Sequence, residues 1–442
     1  MARWWQGRRR RSSASTCRSS PPWQVVDSGA GSAEAACMTT YLDADLPVLL
    51  PRAADTSEAT RAILNSAREA SPVAKGPFGA IVLRHEDVVA LLRDRRLRGP
   101  GMDFARLAGI PEGGRAWKRQ EQILLFMEGD DHHRLRRLVS AAFTPKAVEA
   151  LRPFTRSVIS RLIDDVEADG ECDAVAALCD PYPIPVISEL VGVEMDRWED
   201  MSRWASSILL SLRFDAGQFI DEIEQAQAEL DEFIDGLIAA RRAEPRDDLL
   251  SRLIAVEEAG DRLSPSELLS VVSMMLVAGT DTTRNQLSNI IHTFSEHPEQ
   301  WALLRERPEL VSAAVEEAIR WEPATEALPR FALDDVEIGG HLVPAGTIVV
   351  LMSMAANHDE GSLPGADRFD ITREAPAGWH LLTFGGGVHY CLGASLARLE
   401  LVEAVAELSA RFPVLRPAGD AVRHPTGSPI AGYASLPITW RP

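Results

Sequence analysis

The sequence predicts a mainly α-helical protein with a minor β region. Between residues 131 and 259 the apolar residues recur at helical spacing, and a helix of roughly 30 residues follows. Residues 330–370 instead contain β-branched runs interrupted by Gly-Gly and Pro-Ala-Gly, a pattern typical of a small sheet with hairpins. No low-complexity tract or internal repeat follows Gly31, so we expect residues 38–442 to form a single compact domain.

The first 37 residues differ in composition from the rest of the chain. The segment "MARWWQGRRRRSSASTCRSSPPWQ" carries six arginines, and the first acidic residue is Asp27. A targeting segment or a nucleic-acid-binding arm would share this composition, but a secretory signal needs a continuous apolar run, and none follows. We therefore expect residues 1–37 to be a disordered basic extension, or the product of a mis-assigned start with translation beginning at Met38.

Composition and charge exclude several classes of function. The formal net charge of −19 argues against a nucleic-acid partner, because neutralising phosphates requires basic patches. No run of about 20 apolar residues is present that could span a membrane. The five cysteines form no C-x-x-C pair, which favours a reducing compartment over a disulfide framework or a zinc site. We therefore expect a cytoplasmic protein.

The N-terminal third of the domain alternates helix and strand signals. Helical spacing predicts a helix from Ala54 to Glu69, "GAIVLRH" predicts a short strand, and "HEDVVALLRD" predicts a second helix. Residues 98–114 are rich in glycine and proline and predict a loop with short turns. Four apolar residues of this loop are expected to close a pocket: Met102, Phe104, Leu107 and Ile110.

The longest predicted helix begins at a capping box. Ser264 and Glu267 have the required spacing, and Pro265 occupies the first helical position. The helical pattern continues to about Glu296 and is apolar around most of its circumference, so the helix should be buried. The segment "GTDTT" in its middle places glycine and a carboxylate where both are costly, which indicates a functional site.

The stretch "TFGGGVHYCLGASLAR", residues 383–398, combines three glycines with a lone cysteine before a helix. Glycine is costly to order, so the triplet indicates a sharp bend or a close approach. Cys391 would lie near a helix N-terminus, which favours a thiolate able to act as a nucleophile or a metal ligand. A buried free cysteine is the commonest alternative. The cysteine alone leaves these alternatives open.

The pattern F-G-x-G-x-H-x-C-x-G is complete in this stretch, at Phe384, Gly385, Gly387, His389, Cys391 and Gly393. It resembles the haem-ligand loop of the cytochrome P450 family. The resemblance implies the cytochrome P450 fold, with a long distal helix over haem and a proximal cysteine loop. It implies haem b as the cofactor and the Cys391 thiolate as the iron ligand. Phe384 would pack beside the sulfur, and His389 would lie near a haem propionate.

Two further motifs follow the order of this family. Ala278-Gly279-Thr280-Asp281-Thr282-Thr283 resembles the oxygen-activation segment of the distal helix. There, Ala278 and Gly279 would border the haem, Gly279 would widen the groove for O2, and Asp281 and Thr282 would relay protons. The weaker alternative is a solvated or capping "TDTT". The H-x-x-x-R pattern at His132 and Arg136, together with Arg330, would pair with the haem propionates.

Glu317 and Arg320 match the E-x-x-R motif of the same family. At i, i+3 on a helix the two side chains share a face. Their spacing alone is equally typical of an ordinary surface pair, whereas the resemblance implies a structural pair beneath the cysteine loop. Asn357-His358-Asp359 stands where many members have Asn-Arg-Asp, and we expect this departure to alter local surface pairing but not the chemistry.

The resemblance implies a haem-thiolate monooxygenase that activates O2 and hydroxylates or epoxidises a hydrophobic small molecule. No flavin or iron–sulfur segment is evident, so electrons would come from a separate ferredoxin and ferredoxin reductase. Arg134, Arg137 and Arg398 could supply positive charge for their docking. The alternatives are a peroxide-driven haem peroxygenase and a non-catalytic haem-binding protein. Both have less need of a proton relay, so Asp281 and Thr282 argue against them.

By register, five apolar residues are expected to line the substrate pocket: Met274, Val277, Leu328, Pro429 and Ile430. Apolar lining suggests a terpenoid, steroid, fatty acid or polyketide, although such pockets are largely apolar in any case. Glu326 is the exception among the expected lining residues. It either meets a polar or cationic group or points to solvent, and the sequence leaves both readings open.

Overall fold

The computed structural model describes residues 39–49, 57–194, 198–258, 263–425 and 427–441. The predicted extension at residues 1–37 lies outside these ranges. The α-helices within them are α1 (Ser57–Ala70), α2 (His85–Leu91), α3 (Gly101–Leu107), α4 (Arg115–Gln120), α5 (Gly129–Ser140), α6 (Pro145–Ala150), α7 (Arg152–Val166), α8 (Pro183–Val191), α9 (Trp198–Leu209), α10 (Ile220–Ala243), α11 (Leu249–Glu258), α12 (Pro265–Glu296), α13 (Pro298–Glu306), α14 (Val311–Trp321), α15 (Ser353–Asn357) and α16 (Ala394–Arg411).

The strands are short and form four small sheets. They are β1 (Val73–Lys75), β2 (Gly79–Val82), β3 (Leu97–Arg98), β4 (Glu171–Asp173), β5 (Leu328–Ala332), β6 (Val336–Ile338), β7 (His341–Val343), β8 (Ile348–Leu351), β9 (Arg416–Pro417), β10 (Val422–Arg423), β11 (Tyr433–Ser435) and β12 (Pro437–Thr439). The largest sheet has the order β1-β2-β8-β5-β3, and the others are β4-β12-β9, β6-β7 and β10-β11. The predicted mainly α fold with a minor β region is confirmed.

Helix α12 is the centre of the main hydrophobic core. The predicted capping box is confirmed, since the Glu267 N–H donates to Ser264 Oγ at 3.3 Å and the Ser264 N–H donates to Glu267 Oε2 at 2.8 Å. The helix runs 32 residues and packs against α8, α9, α10, α14 and α16. Among the described residues, no helix is both long and apolar enough to cross a membrane.

The prediction of a loop over residues 98–114 is wrong in part, because α3 forms within it. Phe104 is 4% exposed and packs against Phe126 and Phe214, with ring centroids 6.1 and 5.1 Å away. This apolar packing outweighs the glycine and proline signals, and Pro100 only precedes the helix, where its missing N–H is not needed. Leu107 is 61% exposed, so its predicted role in closing a pocket gains no support.

Glu317 and Arg320 on α14 form a buried ion pair rather than a surface pair. Arg320 Nε and Nη2 each donate to the Glu317 carboxylate at 2.7 Å, with side-chain exposures of 2% and 5%. Arg373 adds a second guanidinium, since its Nε lies 3.2 Å from both Glu317 carboxylate oxygens. Arg320 also donates to the carbonyls of Asn357, Ala366 and Arg368. We call Glu317, Arg320 and Arg373 the ionic hub.

Asn357 connects the ionic hub to the cysteine loop. Its carbonyl accepts from Arg320, while its side chain accepts from the Leu382 N–H at 3.0 Å and donates to Thr383 Oγ1 at 3.1 Å. Asn357, His358 and Asp359 are all buried. The expectation that the Asn-His-Asp departure lies at the surface is therefore wrong, whereas its expected lack of effect on the chemistry stays a prediction. His358 packs 5.3 Å from the Trp321 ring in the interior.

Replacing Arg320 with alanine should lower the free energy of unfolding by about 3–5 kcal/mol, because the change leaves the Glu317 carboxylate buried and short of one partner. Urea unfolding followed by circular dichroism measures the change. The control is Arg307→Ala, which removes an exposed pair with Glu309 and should cost less than about 1 kcal/mol. A loss below about 1 kcal/mol for Arg320→Ala would show that the hub does not stabilise the fold.

Candidate functional site

The cysteine loop, residues 384–393, takes a backbone shape that only glycine tolerates at two positions. Gly385 and Gly387 have φ values of 71° and 64°, in the left-handed region. A Cβ at Gly387 would collide with the carbonyl oxygen of Leu92, just after α2. The loop closes on itself because the Cys391 N–H donates to the Phe384 carbonyl at 2.9 Å. Gly385 and Gly387 therefore allow the backbone to bend sharply, and Gly387 also allows it to lie close to Leu92.

Cys391 lies three residues before the start of α16, whose N-cap is Gly393. Burial raises the pKa of the Cys391 thiol, although hydrogen bonds from the Gly393 and Ala394 N–H groups and the positive charges of Arg136 and Arg398 oppose it. The side chain is nevertheless solvent-accessible. A sulfur that faces an internal space can be surrounded by protein, which raises its pKa, and still be accessible to solvent. The expectation that the helix terminus alone favours a thiolate is not met, and a bound cation would supply the missing stabilisation.

Phe384 is half-buried, and the Arg398 guanidinium lies over its ring at 4.3 Å. Arg398 in turn donates to Glu316 at 2.5 Å. Arg398 on α16 thus packs on the Phe384 ring, and the Phe384 backbone is bonded to the backbone of Cys391.

Four predicted cofactor-binding side chains lie around the cysteine loop. The His132 and His389 rings are 4.7 Å apart, and Arg136 Nη2 donates to the Tyr390 carbonyl at 2.5 Å. His132 is 1% exposed, yet neither ring nitrogen has a hydrogen-bond partner. Arg330 is 7% exposed and donates to the Pro329 carbonyl. Burial lowers the pKa of His132 to about 4, so its ring is neutral near pH 7.

Glu128 joins this cluster, and sequence reasoning missed it. Its Oε1 accepts from the Gly99 N–H at 2.6 Å and lies 3.0 Å from His389 Nε2. Burial opposes ionisation of Glu128, but the hydrogen bonds from His389 and Gly99 outweigh it and lower its pKa. The only sequence signal is an acid four residues before His132, a spacing too common to indicate a site.

These residues fit a haem group. A buried polar atom normally has a partner, and the His132 nitrogens have none within the part of the chain described here. Burial lowers the pKa of the Arg330 guanidinium, and the negative charge of the nearby Glu128 opposes this shift only in part. Two propionate carboxylates would satisfy such donors well, because guanidinium–carboxylate hydrogen bonds are strong. The accessible thiol of Cys391 would supply an iron ligand.

The distal segment on α12 interrupts an otherwise buried helix. Ala278 is exposed, and Gly279 and Thr282 are half-buried, whereas the preceding turn is buried. Thr282 Oγ1 donates to the Ala278 carbonyl at 2.7 Å, which fixes the hydroxyl one turn along the same face. A Cβ at Gly279 would lie 2.9 Å from the Ile187 side chain on α8. Close helix packing therefore gives Gly279 a structural role, and its predicted groove for O2 stays a prediction.

Asp281 is 5% exposed, and burial raises its pKa to about 6. Arg284, one turn later, opposes this shift with its Nε 3.1 Å from Asp281 Oδ1. Arg284 also donates to Ser202 Oγ at 3.0 Å and Ser206 Oγ at 2.9 Å, both on α9. Sequence reasoning missed Arg284, although its i, i+3 spacing from Asp281 was a signal. The carboxylate thus sits in the interior with one cation shared among several acceptors.

The predicted pocket residues occupy mixed positions. Met274 and Val277 pack against the main core, and Ile430 is buried while Pro429 is half-buried. Leu328 lies against the cysteine loop, with its Cδ2 3.9 Å from the place of a Cβ at Gly385. Among the five, Leu328 is the one whose contacts connect it to the candidate site, and the roles of the others stay predictions.

Comparison with known proteins gives matches over most of the chain. The sequence model of the family described as "Cytochrome P450" matches residues 98–438. Luteothin monooxygenase of Streptomyces thioluteus is 37% identical, covering 84% of this chain and 91% of the relative. Nocardicin C N-oxygenase of Nocardia uniformis subsp. tsuyamanensis is 40% identical, covering 82% and 91%. Mycinamicin IV hydroxylase/epoxidase of Micromonospora griseorubida is 38% identical, covering 84% and 94%.

The crystal structure of CalO2 superimposes with a TM-score of 0.82 at 31% identity, covering 88% of this chain and 98% of CalO2. The similarity therefore extends from the cysteine-loop motif to the whole described fold. The chain belongs to the cytochrome P450 family of haem-containing oxidoreductases, and it is a P450 monooxygenase.

Proposed function

We propose that this chain holds haem b, activates O2 with electrons from separate redox proteins, and hydroxylates or epoxidises a hydrophobic small molecule. The observation that carries the proposal is the accessible Cys391 thiol on a glycine loop, near the buried His132 ring, whose nitrogens lack hydrogen-bond partners among the described residues. When bound, haem supplies the iron chemistry that activates O2, which amino-acid side chains cannot perform. A cytoplasmic location is part of the same proposal.

The chain's own residues have separable roles in this proposal. The Cys391 sulfur holds the iron, and four side chains hold the haem carboxylates: His132, Arg136, Arg330 and His389. Asp281 and Thr282 move protons from the interior side of α12. A carboxyl whose pKa is about 6 can both take up and release a proton near neutral pH. Thr282, fixed by its bond to the Ala278 carbonyl, presents its oxygen as an acceptor.

The distal pair also favours a monooxygenase over the two alternatives. A peroxide-driven peroxygenase and a non-catalytic haem protein both have less need of delivered protons. A carboxylate kept in the interior with a raised pKa costs stability, and a cost of this kind is typical of functional sites.

The electron donors we propose are a ferredoxin and its reductase, docking near the cysteine loop. Arg134 and Arg398, two of the three predicted docking residues, are ion-paired with Glu267 and Glu316, each at 2.5 Å. Arg137 is exposed and has no ion pair within the described ranges. Its charge is therefore the most available of the three to an acidic partner.

The reduced wild-type protein with CO should show the red-shifted Soret band of a thiolate ligand. Cys391→Ala should lose this band because the iron ligand is removed. Cys172→Ser is the matched control, since Cys172 lies on β4 and should leave the spectrum unchanged. A red-shifted band that persists in Cys391→Ala would refute the assignment of the ligand.

Thr282→Ala should lower the yield of product per electron pair roughly tenfold or more, with the remainder released as peroxide, because the hydroxyl that guides protons is lost. Thr282→Ser keeps the hydroxyl and should retain most of the yield. Peroxide and product are quantified against electron donor consumed. Unchanged coupling in Thr282→Ala would remove the residue from the relay.

Asp281→Asn should be more stable than the wild type at pH 8, by about 1–3 kcal/mol, and equally stable near pH 4. A carboxyl whose pKa is raised on folding resists ionisation. The wild type therefore loses stability as pH rises from about 4, its unfolded pKa, through about 6, its folded pKa. Urea unfolding at both pH values tests this. Asp367→Asn, at an exposed site, is the control, and a difference independent of pH would contradict the assignment.

A further inference from the structure

Glu326 is a carboxylate without a hydrogen-bond partner for its side chain among the described residues. Its Oε1 lies 3.8 Å from Arg423 Nη2, beyond hydrogen-bonding distance. Arg423 is already committed elsewhere, since its Nη1 donates to Glu322 at 3.0 Å. Glu322 also accepts from the Tyr433 hydroxyl at 3.1 Å. The nearest cation therefore belongs to the Glu322 cluster, and Glu326 lacks a dedicated counter-charge.

The backbone that carries Glu326 is fixed by three neighbouring segments. The Glu326 carbonyl accepts from the Met354 N–H at 3.0 Å, and the Thr325 carbonyl accepts from Ser353 Oγ at 2.8 Å. Ala324 is held from two sides, because its N–H donates to Gln286 on α12 and its carbonyl accepts from Ala431, each at 2.8 Å. Bonds on α12, α15 and the C-terminal segment thus set the position of the carboxylate in advance.

We infer the side to which Glu326 points from its register with β5. It precedes β5 by two residues, and alternate side chains along an extended chain share one side. Leu328 on this side lies against Gly385 of the cysteine loop. Arg330, the next on this side, is buried in the cluster with Glu128. Glu326, Leu328 and Arg330 therefore follow one another on the same side of the chain, and Glu326 lies about 7 Å from Leu328 along it.

The Glu326 side chain is partly buried and partly accessible. Its side chain is 36% exposed. Burial nevertheless raises the pKa of the carboxyl, an effect that Arg423 opposes and Glu322 reinforces. A carboxylate in bulk solvent would show no such effect of burial. The unpaired carboxylate and its register with Leu328 and Arg330 favour the reading in which Glu326 meets a ligand, over the one in which it points to solvent.

We propose that the Glu326 carboxylate lines the substrate side of the haem pocket and binds a positively charged nitrogen of the substrate. The inference rests on the proposed function and narrows its substrate class to hydrophobic amines. An ionised carboxylate is only an acceptor, so a protonated or quaternary nitrogen is its natural complement. A neutral hydrophobic molecule would instead leave the carboxylate desolvated and unpaired.

A pair of probes that differ only in charge tests the proposal. The cation is (4-phenylbutyl)trimethylammonium, and its neutral isostere carries a tert-butyl group in place of the trimethylammonium. Neither can ligate iron, because the quaternary nitrogen has no lone pair. Calorimetric titration into the full-length holoprotein should show the wild type binding the cation roughly tenfold more tightly than the isostere. Glu326→Gln should lose this preference, whereas affinity for the isostere should change less than about twofold.

The control variant is Glu337→Gln, since Glu337 is an exposed residue on β6 and should keep the preference of the wild type. Equal affinity of the wild type for the two probes, including no binding of either, overturns the proposal. A preference that survives in Glu326→Gln overturns it as well. Calorimetry does not depend on the iron ligand. A protein that lacks the thiolate Soret band but loses its preference on Glu326→Gln would therefore refute only the proposed function.

Discussion

One buried carboxylate holds the cysteine loop in place from a distance. Glu317 binds the guanidiniums of both Arg320 and Arg373, and Arg320 donates to the Asn357 carbonyl. The Asn357 amide in turn fixes the backbone that leads into the loop. Because a buried charge without its partner costs several kcal/mol, the members of the hub require one another. The ionic hub therefore anchors the backbone that leads into the loop, while the bond between the Cys391 N–H and the Phe384 carbonyl closes the loop itself.

On α12 a charge is incompletely paired and lowers the stability of the fold, in contrast to the charges of the ionic hub. The ionic hub gains from complete pairing, whereas Asp281 is left with a share of one cation, because Arg284 also serves Ser202 and Ser206 on α9. Burial raises the pKa of Asp281 to about 6, and Arg284 opposes this shift only in part, so the carboxyl stays within range of proton exchange. The backbone that leads into the cysteine loop is thus held by completely paired charges, whereas α12 retains a carboxyl that is able to change its charge.

Local sequence patterns predicted helices and motifs, whereas side-chain contacts between residues distant along the chain were not predicted. The capping box at Ser264 located α12 because both of its residues lie within one turn, and the cysteine motif is likewise contiguous. Arg373 was missed because it reaches Glu317 from a loop distant along the chain, and no spacing rule connects the two. Glu128 was missed for the same reason. Helix α3 was missed because aromatic packing outside the segment decides its conformation.

The last strand has a consequence for the order of folding during synthesis. β12 lies between β4 and β9, so that Ile438 pairs with Cys172 on one side and Pro417 on the other. β4 can therefore pair with β12 only after the ribosome has added more than half of the chain's residues beyond β4. Synthesis proceeds at about 5–20 residues per second. The helices between them can collapse earlier, but this sheet closes only near the end of translation. A nascent chain stalled after α16 would carry the complete cysteine motif with β4 unpaired.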